Sequence, residues 1–169
     1  MNDQLLFELA DRLQHRFYGK YRGIVTDVDP STLRIKATVP AVLGTTPTGW
    51  CLPCVPYAGP NVGFFFVPDP GAAVWIEFEG GDVSYPIWTG CFWRADELPA
   101  EAAPTTRGIV TSAPHQLLFD DDADEVTLAD SNNGSLVLDG SGVTTSRGSG
   151  TVVVGDGGVS LNNDALKVV

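Results

Sequence analysis

The chain has 169 residues, with 10 Lys+Arg against 21 Asp+Glu and a net charge of −11. Hydrophobic residues make up 43% and charged residues 18%, so the chain can build a core and is not expected to be disordered. The acidic balance argues against a nucleic-acid partner, which Lys and Arg would have to hold through its phosphates. No apolar run reaches the roughly 20 residues that span a bilayer, and no signal-peptide pattern is present, which predicts a soluble protein. Three cysteines in such a chain predict reduced thiols.

The N-terminal residues have the pattern of a short amphipathic helix. Four leucines recur at helical spacing within residues 5–13, behind Asn2 and Asp3 as capping candidates. The pattern predicts a helix over residues 3–17 in an N-terminal segment 1–18. Such a helix either packs on its own domain or docks on a neighbouring subunit.

From Tyr21 onward the apolar residues recur with a period of two, which indicates β-strands. Gly- and Pro-rich turns such as Asp29-Pro30-Ser31 separate the strands. Five strands are predicted, at Tyr21–Val28, Leu33–Val39, Gly63–Val67, Ala73–Phe78 and Tyr85–Phe92. Five short strands of this composition predict a small closed barrel of the OB type over residues 19–93.

The composition changes after Trp93. The residues up to Trp93 contain 6 basic and 9 acidic side chains and every Trp and Tyr, whereas the remainder contains 4 basic and 12 acidic side chains and Phe119 as its only aromatic. Residues 94–114 include three prolines and several alanines without a strand pattern, which predicts a linker, with at most a helical turn.

Residues 115–169 contain short apolar steps at intervals of about eight residues. The steps are Val126/Leu128, Leu136/Leu138, Val143, Val152/Val154, Val159/Leu161 and Leu166/Val168, with Asp-, Asn- and Gly-rich turns between them. Each step predicts a two- to four-residue strand with one apolar face, which a unit of this size buries only by stacking on neighbours. We therefore expect several chains to intertwine, three being the number that closes a prism about an axis.

The order of these features resembles the bacteriophage baseplate assembly protein V family, whose OB domain is shared with spike proteins of type VI secretion and other contractile injection systems. The resemblance is carried by Tyr21–Val28, Leu33–Pro40, Trp50, Pro56–Gly59, Pro68–Gly71, Val74–Asp82 and Pro86–Trp93. Residues 115–169 look like the trimeric β-helical spike of that family. The fold class that this resemblance implies is all-β: a short N-terminal helix, an OB barrel and an intertwined trimeric β-helix or β-prism.

The resemblance implies a structural protein and not an enzyme: a homotrimeric central spike of a contractile tail baseplate that docks on a hub and pierces the target cell envelope. Its implied location is the virion tail baseplate, assembled in the host cytoplasm. Relatives often carry a fused hub or a muramidase domain, and 169 residues leave room for neither, so the hub is expected to be a separate protein.

Some spikes of this family enclose an iron ion at the tip with a His-x-His pair. The sequence has no His after His115, which excludes an imidazole iron site by residue type. Inward-facing Leu166 and Val168 would leave an apolar end at Val169, which predicts a separate tip-capping protein because exposed apolar patches commonly mark docking surfaces. The competing expectation is a blunt end that frays.

The motif Trp50-Cys51-Leu52-Pro53-Cys54 suggests a thioredoxin-like redox pair, or a zinc site if Cys91 joins it. Redox chemistry needs the first Cys at a helix N-terminus, and the prolines and glycine that follow the pair prevent a helix. The sequence lacks the second pair of ligands that a tetrahedral zinc site would need. Packing in a strand or loop is the favoured interpretation of both cysteines.

Other candidate sites are sparse. His15 and His115 lie outside any catalytic motif and are predicted to be surface or capping residues. The run Asp120–Glu125 could attract Ca²⁺, but it lacks EF-hand spacing and is predicted to be a solvated turn, as is Gly155–Gly158. No catalytic, cofactor-binding or metal-binding residue is predicted.

Two other function classes remain open. The first is an OB protein that binds oligosaccharide or nucleic acid, with aromatics at Trp50, Tyr57, Trp75, Trp88 and Trp93 but only six basic residues before the linker. The second is a trimeric adhesin, which would need a receptor-binding head after the stalk. A compact monomer would favour the first class, and a rod-like trimer favours the spike.

Overall fold

The computed structural model describes residues 16–163 and 165–168. It divides into two compact units, Met1–Glu97 and Leu98–Val169, and strands make up most of the regular secondary structure described in each. The predicted helix over residues 3–17 lies outside the described residues except at its end, where Arg16 and Phe17 are not helical. Among the described residues, no helix has the length and apolar character needed to span a membrane.

The first unit contains short strands joined by turns. Its elements are β1 (Tyr21–Val28), β2 (Ile35–Thr38), α1 (Pro40–Leu43), β3 (Leu52–Pro53), β4 (Ala58–Gly59), β5 (Val62–Gly63), β6 (Ala73–Phe78), a 3-10 turn (Glu79–Gly81) and β7 (Pro86–Cys91). Five of the strands form one sheet in the order β2-β1-β6-β7-β3, in which only the pair β3–β7 is parallel. Irregular register between Val25 and Asp27, and between Trp75 and Ile76, bends the sheet as β-bulges do.

The core of the first unit lies inside this curled sheet. Ile35, Val39, Val74 and Ile76 are fully buried, and along β6 buried positions alternate with partly exposed ones. This alternation is the period-two pattern read from the sequence, because successive side chains of a strand point to opposite faces. Each such aliphatic side chain contributes about 1.5–3 kcal/mol when it leaves water.

The segment that follows α1 joins the two edges of the five-stranded sheet. The Cys51 N–H donates to the carbonyl oxygen of Ile35 in β2 at 2.8 Å, and the Cys54 N–H donates to that of Trp88 in β7 at 2.9 Å. Thr48 also bonds to β2, because its N–H donates to the Ala37 carbonyl oxygen at 2.8 Å. The cysteine motif is therefore the segment that closes the sheet towards a barrel, consistent with an OB fold.

Several local features of the first unit differ from the sequence prediction, among them the unpredicted strands β3 and β4. The predicted strand Gly63–Val67 is wrong beyond Gly63, where β5 ends, although the Phe64 N–H still donates to the Tyr57 carbonyl oxygen at 2.8 Å. The four-residue helix α1 was not predicted, although Pro40 at its start fits the first helical turn.

The second unit is a single antiparallel sheet in which each strand pairs with its neighbours in sequence. The strands are β8 (Thr106–Val110), β9 (Gln116–Asp120), β10 (Glu125–Ala129), β11 (Gly134–Asp139), β12 (Gly142–Arg147), β13 (Gly150–Gly155), β14 (Gly158–Leu161) and β15 (Leu166–Val168). The strand-rich region predicted after residue 115 is confirmed. Within one chain it is a meander of hairpins, with most strands longer than the predicted two to four residues.

Strand β8 lies inside residues 94–114, whose composition predicts a linker. Its pairing with β9 brings Gly108 so close to the next strand that an added Cβ would lie 2.7 Å from the Leu117 carbonyl oxygen. Only glycine fits that approach. The local sequence does not predict this strand, because its position is set by pairing with β9 and not by an alternation of its own apolar residues.

Candidate functional site: the apolar face of the C-terminal sheet

The strand register of the second unit lines up its apolar residues in two rows. Leu128, for example, lies between Leu117 of β9 and Leu136 of β11, and Val143 lies between Leu138 and Val154. The first row is Ile109, Leu117, Leu128, Leu136, Thr145, Val152, Leu161 and Leu166, with Thr145 as its polar member, and the second, which follows Arg107 of β8, is Phe119, Val126, Leu138, Val143, Val154 and Val159. Residues two apart along a strand share a face, so these fourteen residues form one surface, here called the apolar face.

The opposite face of the same sheet is more polar and better covered. Its central row is Leu118, Thr127, Val137, Thr144, Val153 and Ser160, all half-buried. On the apolar face, by contrast, Leu128 is 53% exposed, Val154 47% and Phe119 44%. The more hydrophobic side of the sheet is thus the one left in water.

The second unit has no buried residue among its described positions. All buried core residues of the described chain belong to the first unit. A sheet with one uncovered apolar face cannot hold its fold by hydrophobic burial within one chain, because stability comes mainly from apolar area removed from water. Another surface must cover the apolar face.

Aspartates in the turns fix the register that creates the apolar face. Asp130 Oδ1 accepts the N–H groups of Asn132 and Gly134, both at 2.8 Å, and its Oδ2 accepts Arg147 Nη1 at 2.7 Å. The Gly134 and Asn132 backbone bonds, with a smaller contribution from Arg147, lower the pKa of the Asp130 carboxyl. The turn between β10 and β11 therefore depends on an ionised carboxylate.

The acidic run and the glycine cluster are turns in the structure. Asp120 ends β9, and its Oδ1 accepts the N–H groups of Asp122 and Ala123 at 3.0 and 3.1 Å. Asp121 Oδ2 accepts Arg107 Nη1 at 2.7 Å, which pairs one of the carboxylates with a cation. Gly155 ends β13 and Gly158 begins β14, so that cluster is a tight hairpin turn.

The remaining sequence candidates are dispersed. His115 is exposed and closes the β8–β9 loop through its backbone, which pairs with Thr111 at 3.0 and 3.1 Å. His15 lies outside the described residues. In the part of the chain that the structure describes, no three His, Cys, Asp or Glu side chains lie close enough together to hold a metal ion.

The cysteines occupy different environments. Cys51 is buried beside the Thr48 hydroxyl, with Sγ 3.2 Å from Oγ1, and burial raises the pKa of its thiol. Cys54 and Cys91 are exposed. Cys51 precedes a strand and not a helix, so no helix dipole stabilises a thiolate there, and the redox interpretation finds no support.

The five aromatics of the ligand-binding alternative do not form one stacking surface. Trp88 is buried in the core. The Trp50 ring lies under Lys36 Nζ at 4.6 Å, and Trp75 packs against Phe92 with ring centroids 4.8 Å apart. Trp93 lines a shallow groove with Phe92, and Tyr57 lies on the hairpin formed by β4 and β5.

Two comparisons with known protein families agree with this geometry. Residues 21–93 match the model described as the type VI secretion system/phage-baseplate injector OB domain, and residues 108–167 match the phage baseplate V C-terminal trimerisation domain. The second match spans nearly the whole of the sheet that carries the apolar face and supports a homotrimer. No curated protein matches the chain. The chain belongs to the phage baseplate V family, whose OB and trimerisation domains support a spike-type structural role.

Proposed function

We propose that three copies of this chain form the central spike of a contractile phage tail or a related injection system, which docks on a hub and pierces the target cell envelope. The observation that carries the proposal is the apolar face, left in water by one chain on a sheet that matches a trimerisation domain. Three sheets with these faces turned towards a common axis make a closed prism.

The energetics of the apolar face support this assembly. Seven of its large side chains are 36–57% exposed: Phe119, Leu128, Leu138, Val143, Val152, Val154 and Leu166. Completing the burial of each contributes roughly 1 kcal/mol, so the trimer gains on the order of 20 kcal/mol from all three chains. Three chains that form one trimer lose two sets of translational and rotational freedom, at about 4–15 kcal/mol each, so the gain is of the same size as the total cost of about 8–30 kcal/mol. The sheet is therefore expected to depend on every row of the apolar face.

The proposed mechanism is mechanical. Each strand of the sheet is bonded to its neighbours, and in the prism its apolar side chains would pack against two other chains, so no strand opens alone. Force from sheath contraction then meets a cooperative structure with a slow unfolding rate. The acidic and Gly-rich turns keep the needle in solution and discourage pairing at the edges. We propose no catalytic step.

The hub and the tip are the proposed contact points of the spike. Hub docking is assigned to residues 1–93, through either the N-terminal segment 1–18 or the loops of the OB unit. A separate tip-capping protein stays a prediction, as does assembly in the host cytoplasm before incorporation into the tail baseplate. Nucleic acid is not among the proposed partners, because a chain with a net charge of −11 repels phosphates.

Co-expression with the neighbouring baseplate proteins tests the proposal. We expect a hub protein to co-purify with the trimer, and removal of residues 1–18 to release it if that segment is the anchor. Imaging of the native particle should show threefold density on the tail axis beyond the tube. A compact monomer with salt-sensitive DNA binding would contradict the proposal and favour the ligand-binding alternative.

A further inference from the structure

The turn between β10 and β11 contains an Asn–Gly dipeptide. Asn133 is the one asparagine of the sequence that a glycine follows. Asparagine before glycine deamidates readily, because glycine has no side chain to hinder attack by its backbone nitrogen on the preceding side-chain amide. Asn133 is exposed and has φ +61°, in the left-handed region that asparagine tolerates. The turn therefore contains a candidate site of covalent modification.

The packing of the turn favours glycine at the second position of this dipeptide. A Cβ added to Gly134 would lie 3.0 Å from Arg147 Nη1 and 3.1 Å from Asp130 Oδ1. Those two side chains form an ion pair, with Arg147 Nη1 2.7 Å from Asp130 Oδ2. A larger residue at position 134 would press on this ion pair. The contacts that fix the turn thus also keep the susceptible dipeptide in it.

Deamidation of Asn133 would begin at the backbone nitrogen of Gly134. This nitrogen loses its proton and attacks the Asn133 side-chain carbon Cγ, so that a succinimide ring closes through the new N–Cγ bond. The Cγ–Nδ2 bond breaks, and the departing nitrogen takes up a proton and leaves as ammonia. Water then opens the ring at either carbonyl and leaves aspartate or isoaspartate. Solvent water is the only co-reactant that the step requires.

A carboxylate in the folded turn opposes the first step of this reaction. The Gly134 N–H donates to Asp130 Oδ1 at 2.8 Å. The Asn132 N–H donates to the same oxygen at 2.8 Å, and Arg147 holds the other oxygen, so the carboxylate is fixed in place. Loss of the Gly134 proton would break a charge-assisted hydrogen bond and would put an amide anion beside a carboxylate. The nucleophile is therefore suppressed as long as this bond is made.

We propose that Asn133 is a site of spontaneous deamidation and that Asp130 protects it, by holding the Gly134 N–H in the hydrogen bond that the reaction must break. The inference rests on the geometry of the turn and not on the proposed role in a spike. It assigns to Asp130 a chemical role in addition to its part in fixing the strand register.

The protection matters for the apolar face. Isoaspartate at position 133 would lengthen the backbone between β10 and β11, whose register pairs Leu128 with Leu136. A change of register moves apolar side chains away from their neighbours or onto the other face of a sheet. Deamidation at Asn133 would thus interrupt the surface through which the copies associate.

Ageing of the purified full-length protein at mildly alkaline pH tests the proposal. Peptide mass spectrometry measures the conversion of Asn133 in the wild-type protein, in Asp130→Ala and in Arg147→Met, with the urea-unfolded wild-type chain as the unprotected reference. Arg147→Met is the matched control, because it removes the ion pair from the same turn but leaves the carboxylate on the Gly134 N–H. Sedimentation velocity reports whether each variant remains a trimer.

We expect the wild-type protein and Arg147→Met to deamidate at least about tenfold more slowly than the unfolded chain, the factor that one charge-assisted hydrogen bond supplies. Trimeric Asp130→Ala should approach the rate of the unfolded chain. Three outcomes would overturn the proposal: wild-type conversion as fast as in the unfolded chain, Asp130→Ala as slow as the wild type, or Arg147→Met as fast as Asp130→Ala. The last outcome would assign the protection to the general stability of the hairpin.

Amide hydrogen exchange at Gly134 gives a second measurement that does not depend on deamidation. Base-catalysed exchange passes through the same deprotonated nitrogen, so it reports directly on the availability of the nucleophile. Exchange at Gly134 should be slow in the wild-type protein and in Arg147→Met, and fast in Asp130→Ala. If Asp130→Ala does not assemble, the wild-type protein and Arg147→Met decide: slow exchange in both supports the proposal, and fast exchange in either one contradicts it.

Discussion

A charge placed on the apolar face should dismantle the trimer, whereas the same charge one residue further along the strand should not. Val143 and Thr144 are neighbours in β12 with side chains of nearly equal volume. Val143 lies between Leu138 and Val154 on the apolar face, and Thr144 lies between Val137 and Val153 on the opposite face. The variants Val143→Asp and Thr144→Asp therefore place the same carboxylate on opposite faces of one strand. Thr144 is the more buried of the two within one chain, so a larger loss in Val143→Asp cannot come from burial inside the chain.

The expected magnitude follows from burial. Val143 is 36% exposed in one chain, so trimerisation completes a burial worth roughly 0.5–1 kcal/mol at that position. An unpartnered polar group in the interface costs about 1–3 kcal/mol, and a carboxylate costs more. The loss per chain is at least about 2 kcal/mol, and about 6 kcal/mol for three copies. At 1.4 kcal/mol per tenfold change, the trimer association constant falls by at least about four orders of magnitude.

Sedimentation velocity at micromolar concentration measures this effect directly. Val143→Asp should sediment as dissociated chains, while Thr144→Asp and the wild-type protein should sediment as trimers. Equal behaviour of the two variants would refute the assignment of the apolar face as the contact between copies. A trimer that persists in Val143→Asp with unchanged thermal stability would do the same.

Three further predictions concern single residues. Hydrogen bonds from the Thr32 and Ser31 hydroxyls lower the pKa of Asp29 to about 2. The ionised carboxylate therefore stabilises the fold above its ordinary pKa of 3.8, and this contribution is lost as the pH falls through about 2. NMR titration of the variant Thr32→Val should show a higher pKa for Asp29. A thiol reagent should modify two cysteines in the native protein and Cys51 only after unfolding, and rapid reaction of all three would contradict its burial. Gly142 has φ +136°, and an added Cβ would overlap a carbonyl oxygen of β13. Gly142→Ala should therefore lower the Tm measured by calorimetry by several degrees. Gly140→Ala is the control and should leave the Tm unchanged, because the space around Gly140 is open.

The sequence predicted those parts of the fold that depend on alternation within a strand. The bounds of β1 and β6 match their predicted ranges, because each is a half-buried strand with a clear period of two. The apolar steps from Val126 to Leu166 likewise became strands with their apolar residues on one face. The period of the apolar residues predicts these elements because burial of one face of a strand requires an apolar residue at every second position.

The sequence did not predict features that depend on distant partners. The cysteine motif closes the sheet through Cys51 and Cys54, whose bonds to β2 and β7 no local pattern reveals. Residues 63–67 were predicted to form a strand, whereas the pairing of β5 with β4 ends at Gly63. Strand β8 was assigned to a linker because its place is set by pairing with β9.

The central claim is that the C-terminal sheet is stable only when three copies cover one another's apolar faces. Native mass spectrometry of the full-length protein at micromolar concentration tests it most directly. The account predicts one dominant species at three times the 17.9 kDa chain mass. A folded species at the mass of one chain would contradict it.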